Sequence, residues 1–207
     1  MRTLTEQQMI DIIWGATLMG GGGGGSISSG MDLLNAYKRD HPDAKIEVDL
    51  ITVDEMKGGY AAATAGMGAP AAIVGVDFSK YAANAFSLLQ EVAARHGKDL
   101  RYNIPVELGG FSIFFPLLLS LITEFKTVDA DGAGRAVPAL ETLLLHVNGC
   151  PTSPIALANG VNDKITVELA DSHNAPLAEK IGRDICGEFG NMVGISGWLV
   201  DKTDIEN

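Results

Sequence analysis

Residues 127–141 read TVDADGAGRAVPALE, and this stretch decides the fold class. Phe125 and Val128 form a short apolar approach that reads as a strand. The strand delivers two carboxylates (Asp129, Asp131), two glycines (Gly132, Gly134) and one guanidinium (Arg135) within seven residues. Pro138 then opens a helical pattern over Ala139–Val147. Charged groups on a turn between a strand and a helix are where α/β sheets bind ligands, at the carboxyl ends of their strands.

Upstream of that turn the same alternation repeats. Arg101–Glu107 reads as a strand and runs into Leu108, Gly109 and Gly110, and Pro116 suits the first turn of a helix over Leu117–Phe125. Ser79–His96 is amphipathic at helical spacing, with Tyr81, Ala85, Leu88, Leu89, Val92 and Ala93 inward, and Gly97 ends it. Tyr60–Thr64 is a short buried strand that ends in small residues, among them Gly68 and Ala69, where a backbone can approach a ligand closely or simply pack tightly. Lys45–Val53 alternates as a strand towards a sheet edge, and Asp54–Lys57 reads as a turn or helical corner.

Downstream, Pro154–Ala158 and Ile165–Leu169 read as strands around a polar turn. Pro176–Phe189 reads as a helix with Leu177, Ile181, Ile185 and Phe189 on one face, and Gly194–Val200 as a final strand. This order predicts a three-layer α/β fold, a mostly parallel or mixed sheet with helices on both faces. With 207 residues and no repeat or linker, a single domain over residues 1–207 is expected.

At the start, Thr5–Met19 has helical spacing, capped by Thr5, with Met9, Ile12, Ile13, Ala16 and Leu18 or Met19 inward. Gly20–Gly25 stops it, and Ser26, Ser28 and Ser29 offer caps for a second helix over Gly30–Arg39. A nucleotide-binding glycine loop follows a strand, and a phosphate loop carries Lys and then Ser or Thr; neither holds here. The run then reads either as a backbone nest or lid, with Gly22, Gly23 and Gly24 against a ligand, or as a tight helix-to-helix connection.

The charge balance is 15 basic against 26 acidic residues, a net of −11, which argues against nucleic acid or an anionic membrane as the main partner. The longest apolar run, Phe111–Ile122, is too short to span a bilayer and is interrupted by Pro116. Glu6, Gln7, Gln8 and Asp11 break any leader-like apolar core, so a cytoplasmic protein is expected, with Cys150 and Cys186 as free thiols.

If the strands ending at Gly68, Glu107 and Asp129 are parallel neighbours, Glu107, Asp129, Asp131 and Arg135 converge, and Gly109, Gly110, Gly132 and Gly134 let a ligand approach the backbone. Each of these residues also has a structural reading, as a turn, cap or internal ion-pair partner. Together, three acids near one edge call for an arginine, a ligand or a metal. No organic cofactor is expected. Asp129, Asp131 and Glu107 would offer oxygen ligands to a divalent metal, whereas His41, His96, His146 and His173 show no paired zinc spacing. Cys150 near His146 is a nucleophile candidate, with a buried small residue as the simpler reading.

The succession Gly20–Gly25, Met67-Gly68-Ala69-Pro70, Glu107-Leu108-Gly109-Gly110 and Asp129-Ala-Asp-Gly-Ala-Gly-Arg-Ala136, with Pro138 and Glu141, resembles the N-terminal domain of the S-methyl-thiohydantoin desulfurase-like proteins. The resemblance implies an α/β domain that is usually followed by a β-rich second domain. It implies action on a hydantoin-type ring, a cyclic ureide, and association with hydantoinase- or oxoprolinase-type proteins. The chain stops where that second domain would begin, and Phe111-Ser112 stands where a polar amide is expected. On this resemblance Asp131 or Asp129 would be a general base, Arg135 an orienting cation and Glu107 a partner for ring N–H groups. A binding or accessory module, with Phe111–Phe115 or the late strand as its contact, and a nucleotide-binding domain using Gly20–Gly25 are the alternatives. Self-association into a homo-oligomer stays open.

Overall fold

A computed structural model describes residues 1–68 and 78–206 of the protein; Ala69 and Pro70, singled out above, lie outside the described residues. Eight strands among the described residues form one sheet: β1 Arg2–Thr5, β2 Glu47–Ile51, β3 Tyr60–Gly68, β4 Leu100–Pro105, β5 Lys126–Val128, β6 Ile155–Ala158, β7 Lys164–Val167 and β8 Met192–Val200. Their order is β1-β2-β5-β4-β3-β8-β6-β7. The block β2-β5-β4-β3 is parallel throughout. β1 joins it antiparallel at one end, and β8, β6 and β7 extend it antiparallel at the other. The helices are α1 Glu6–Gly20, α2 Ile27–Asp40, α3 Phe78–Arg95, α4 Phe114–Ile122, α5 Leu144–Val147, α6 Ala175–Glu188 and α7 Lys202–Glu206. This is the mixed sheet with helices on both faces that the alternation predicts.

Strand alternation sorts the two layers. Ala61, Ala63, Ala65 and Met67 of β3 point to one face with Ile104, Val106, Val193 and Ile195, and are covered by α6 and residues 140–150. Ala62 points to the other, against Phe86 and Leu89 of α3 and Leu119 of α4. Beyond these, α1 and α2 pack on the apolar start of α4, around Phe111, Phe114 and Phe115.

Four local readings change. β2 lies towards a sheet edge as expected, but β1, which the sequence reading lacks, pairs outside it and buries Leu4; four residues are too few to show a strand period. The Thr5 capping box sets the phase of α1 so that Met9, Ile13, Ala16 and Gly20 face inward, leaving Leu18 83% and Met19 55% exposed beside Trp14. The helical pattern over Ala139–Val147 breaks into a single 3₁₀ turn, Leu140–Thr142, and the short α5. Leu143 is extended (ψ 140°), and Leu144 N–H donates to Gly132 C=O instead of continuing a helix. Finally, α6 buries Ala175, Ala178, Gly182 and Cys186; Ile181, Ile185 and Phe189 of the expected face pack partly buried against the core, while Leu177 faces solvent. A Cβ on Gly182 would stand 2.9 Å from the Met67 sulfur, so only small residues let this helix sit so close to the sheet.

Two features position the site. The run after α1 passes directly over the β4–α4 connection. A Cβ on Gly24 would lie 2.7 Å from Gly109 Cα, and one on Gly20 would lie 2.8 Å from Leu108 O. Gly24 C=O accepts the N–H groups of Phe111 and Ser112 (both 3.0 Å), and Gly25 C=O accepts that of Gly110 (3.1 Å). The second feature is a bulge in β8. Ala61 and Ala63 pair with Val200 and Gly197, so Trp198 and Leu199 together oppose Ala62. Trp198 takes a left-handed backbone (φ 50°), a conformation that costs a bulky residue about 1–3 kcal/mol.

The glycine contact predicts opposite outcomes for two substitutions, measured by thermal denaturation. Gly15→Ala, on the open face of α1 with nothing within 4 Å of its Cβ, should raise stability by about 0.5–1 kcal/mol. Gly24→Ala, left-handed (φ 67°) and blocked by Gly109, should lower it by about 1–3 kcal/mol. An unchanged melting temperature for Gly24→Ala would refute the tight contact.

Candidate functional site

On the α6 face, at the carboxyl ends of β3 and β4, lies a cleft of about 220 Å³. Its floor is Ala63, Ala65 and Met67 of β3 with Val106 and Ile195; its walls include Phe111, Leu140, Leu143 and Trp198. The alanines make the space: methyl groups stand where larger β-branched side chains would fill the layer. Glu107, Ser112, Glu179 and Arg183 are its polar residues, and Gly24, Gly25, Gly66 and Gly68 reach it with backbone.

Glu107 holds three segments together. One carboxylate oxygen accepts from Ser112 Oγ (2.8 Å), at the approach to α4, and the other from Val137 N–H (2.8 Å), in the loop after β5. Across the cleft, Arg183 Nε donates to Glu179 Oε1 (2.7 Å), one turn apart on α6, and Glu179 Oε2 accepts from Leu140 N–H (3.2 Å). Trp198 is 1% exposed, and its indole Nε1–H has no hydrogen-bond partner among the described residues.

The four charged residues singled out in the sequence divide. Glu107 lies in the cleft. Asp129 and Asp131 line a second cavity, about 410 Å³, on the α1 side of the same sheet edge. Asp131 Oδ1 accepts from Ala133 N–H (2.9 Å) and from Gly134 N–H, closing its own turn. Asp129 is exposed. Arg135 is exposed too, lies over Gly21, and makes no ion pair among the described residues. The described residues hold no group of three or more His, Cys, Asp or Glu side chains able to hold a metal ion.

Of the glycines, Gly24 and Gly68 line the cleft. Gly23 packs on Ala136, and Gly22 has nothing within 4 Å of its Cβ position. Gly109 and Gly110 lie buried beneath the glycine run, Gly132 is buried against Val106 C=O, and Gly134 is exposed with φ 73°.

Cys150 and Cys186 are buried. Burial pushes both thiols up; the charges of Asp204 and Asp201 add to this at Cys150, while Arg183 opposes it at Cys186. Neither has the stabilised thiolate that a nucleophile needs. Phe111, Phe114 and Phe115 are core residues, and every residue of β8 is buried, so neither segment offers a contact surface. Among the described residues no helix is long and apolar enough to cross a membrane.

The sequence profile of the family described as "S-Me-THD-like, N-terminal domain" matches residues 7–169. The chain belongs to this family. The crystal structure of a protein from Chromobacterium violaceum is similar to it, with a TM-score of 0.88 and 25% sequence identity over 99% of this chain and 56% of that one. The chain thus spans little more than half the length of that protein. No curated protein matches. The S-Me-THD-like match ends before α6 and β8, so Glu179, Arg183 and Trp198 lie beyond it. These are the cleft residues that sequence reasoning misses. The Glu179–Arg183 spacing is an ordinary helix-surface pair, and a bulge leaves no sequence period to read.

Two outcomes follow from this geometry. Glu107→Ala removes an acceptor shared by two segments and should cost about 2–4 kcal/mol in urea unfolding; it should also speed tryptic cleavage after Arg135, in the loop that Glu107 holds at Val137. An unchanged cleavage rate would show that the loop is held by other contacts. The raised thiols stabilise the fold fully below the unfolded thiol value, about pH 8.5, and that contribution is lost as pH rises towards the folded values. Neither cysteine should react with a thiol reagent at pH 7.5 until denaturant is added, and the stability decline above pH 8.5 should flatten in the Cys150→Ala, Cys186→Ala double variant.

Proposed function

We propose that this chain is a ligand-binding module of the S-Me-THD-like family, which holds a small planar cyclic amide of the hydantoin class in the cleft over β3, β4 and β8. The observation that carries this reading is the cleft itself, with an apolar floor of small side chains and a rim of fixed polar groups. A rigid ring that is flat and apolar on its faces and polar at its edge suits such a site. Glu107, anchored from two sides, would accept from ring N–H groups. The half-length coverage of the Chromobacterium violaceum protein fits a module that works with a second domain or a hydantoinase- or oxoprolinase-type partner.

A second reading is hydrolytic. Water would add to the ring carbon that bears sulfur, the C–S bond would break, and the ring carbon would become a carbonyl; of the two water protons one would go to the ring nitrogen that was double-bonded to that carbon and the other would leave with the thiol. Asp129 and Asp131 favour it, because they line a cavity at the same sheet edge and would act on the water as general base. Arg135, exposed nearby in sequence, would stabilise developing negative charge. The nucleotide reading is weaker. In the glycine run itself the N–H groups of Gly21 and Gly23 are taken by Leu18 and Gly20 C=O, and at the start of α2 Ser26 Oγ accepts from Ser29 N–H.

Calorimetry and thermal shift with hydantoin, beside thiol release from S-methyl-thiohydantoin with and without chelator, separate these readings. The binding reading expects hydantoin to raise the melting temperature, about tenfold weaker binding in Glu107→Gln, and no thiol release. Release that Asp131→Asn abolishes would select the hydrolytic reading. A melting temperature unmoved by hydantoin would reject the cleft as its site.

A further inference from the structure

We infer that Trp198 is the orientation-determining donor of the cleft: its indole N–H bonds a carbonyl oxygen or thiocarbonyl sulfur on the edge of the bound ring. The inference rests on the cleft being the ligand site proposed above.

Three independent observations support it. First, an indole N–H can only donate, and buried donors in folded proteins almost always find an acceptor. Trp198 is 1% exposed and lines the cleft, yet its Nε1–H is paired with no protein group among the described residues.

Second, the backbone departs from regular geometry to bring the indole there. In an unbroken strand, residue 198 would point away from Ile195, towards the α3 layer. The bulge opposite Ala62 and the left-handed φ of 50° instead place Trp198 in the same layer as Val193, Ile195 and Val200. Bulges recur beside functional sites because they re-aim one side chain, and a left-handed tryptophan is a rare conformation to retain without use.

Third, the other polar groups of the cleft complement the indole. Glu107 and Glu179 are acceptors that already hold protein N–H or O–H groups and keep lone pairs for a ligand's donors. Trp198 offers the opposite polarity. A ring that carries both an N–H and a C=O or C=S in its plane satisfies both sides at once; a hydrocarbon ring satisfies neither. The ligand class that follows is a neutral, planar cyclic amide or thioamide, held by its edge with its face on the β3 alanines.

The test uses the chain's own pair of tryptophans. In ¹⁵N-labelled protein the indole N–H of Trp14, 58% exposed on α1, is an internal reference for that of Trp198. Titration with hydantoin should move the Trp198 indole resonance downfield and leave Trp14 in place. Trp198→Phe keeps an aromatic ring and removes the donor, and should weaken hydantoin binding about tenfold. Hydantoin that binds while the Trp198 resonance stays put and Trp198→Phe keeps full affinity would overturn the role of the indole and leave the ligand site standing. Titration that moves no resonance and no melting temperature would remove the ligand site, and this role with it. The wild-type titration decides the matter even if Trp198→Phe fails to fold.

Discussion

Two glycine segments, distant in sequence, meet backbone to backbone, and the position of the cleft depends on that contact. Gly24 lies against Gly109, and its carbonyl takes the N–H groups of Phe111 and Ser112. A run of six glycines carries an entropic cost that a simple turn would not require. The structure accounts for three of the six by close approach, since side chains at 20, 24 or 25 would collide with residues 108–111; Gly21 and Gly22 take positive φ (59° and 101°), and a Cβ at Gly23 would strike Ala136. The contact sets α1 and α2 against the start of α4 and brings Ser112 to Glu107. It also puts Gly24 and Gly25 on the wall of the cleft.

Glu107 is accordingly both a structural tie and one of the two carboxylates that line the cleft, with Glu179. Its two oxygens bond to a side chain from one segment and a backbone N–H from another, which fixes the group in the geometry a binding site needs. The acids of the Asp-x-Asp turn take a different course. Asp131 spends one oxygen on its own loop, and both Asp129 and Asp131 look to the cavity on the α1 side. The sheet edge therefore presents two separate concavities, one with Glu107 and one with Asp129 and Asp131.

Most of the architecture was legible in the sequence. The long periodic helices α1, α3 and α6, the strands β2 to β4 and the parallel order of β3, β4 and β5 follow from apolar spacing and strand–helix alternation. What escaped has local causes. β1 has too few residues to show a period. The 139–147 stretch has helical spacing, but Gly132 C=O captures the N–H that would continue the helix. The inward face of α6 is set by what lies beneath it: Met67 fills the space, so Ala178 and Gly182 go inward and Leu177 outward. For the cleft, Glu107 and the small residues of β3 were visible as unusual strand ends. Trp198, Glu179 and Arg183 were not, because their place depends on a bulge and on the depth at which a helix packs.

The pairing of β3 with β8 also bears on how the chain reaches its fold. The buried Thr64 and Ser196 hydroxyls bond at 2.9 Å across 132 positions of sequence. Contacts of such separation form late, since the entropy of closing the intervening loop must be met before they contribute. During synthesis from the amino end, the parallel block can assemble while β3 still has one open edge, and that edge is nine residues long, alanine-rich and uncharged. An open edge of this kind is a template for pairing with another chain. The antiparallel strand that completes the floor of the cleft thus also ends the interval in which a nascent chain is most exposed to aggregation.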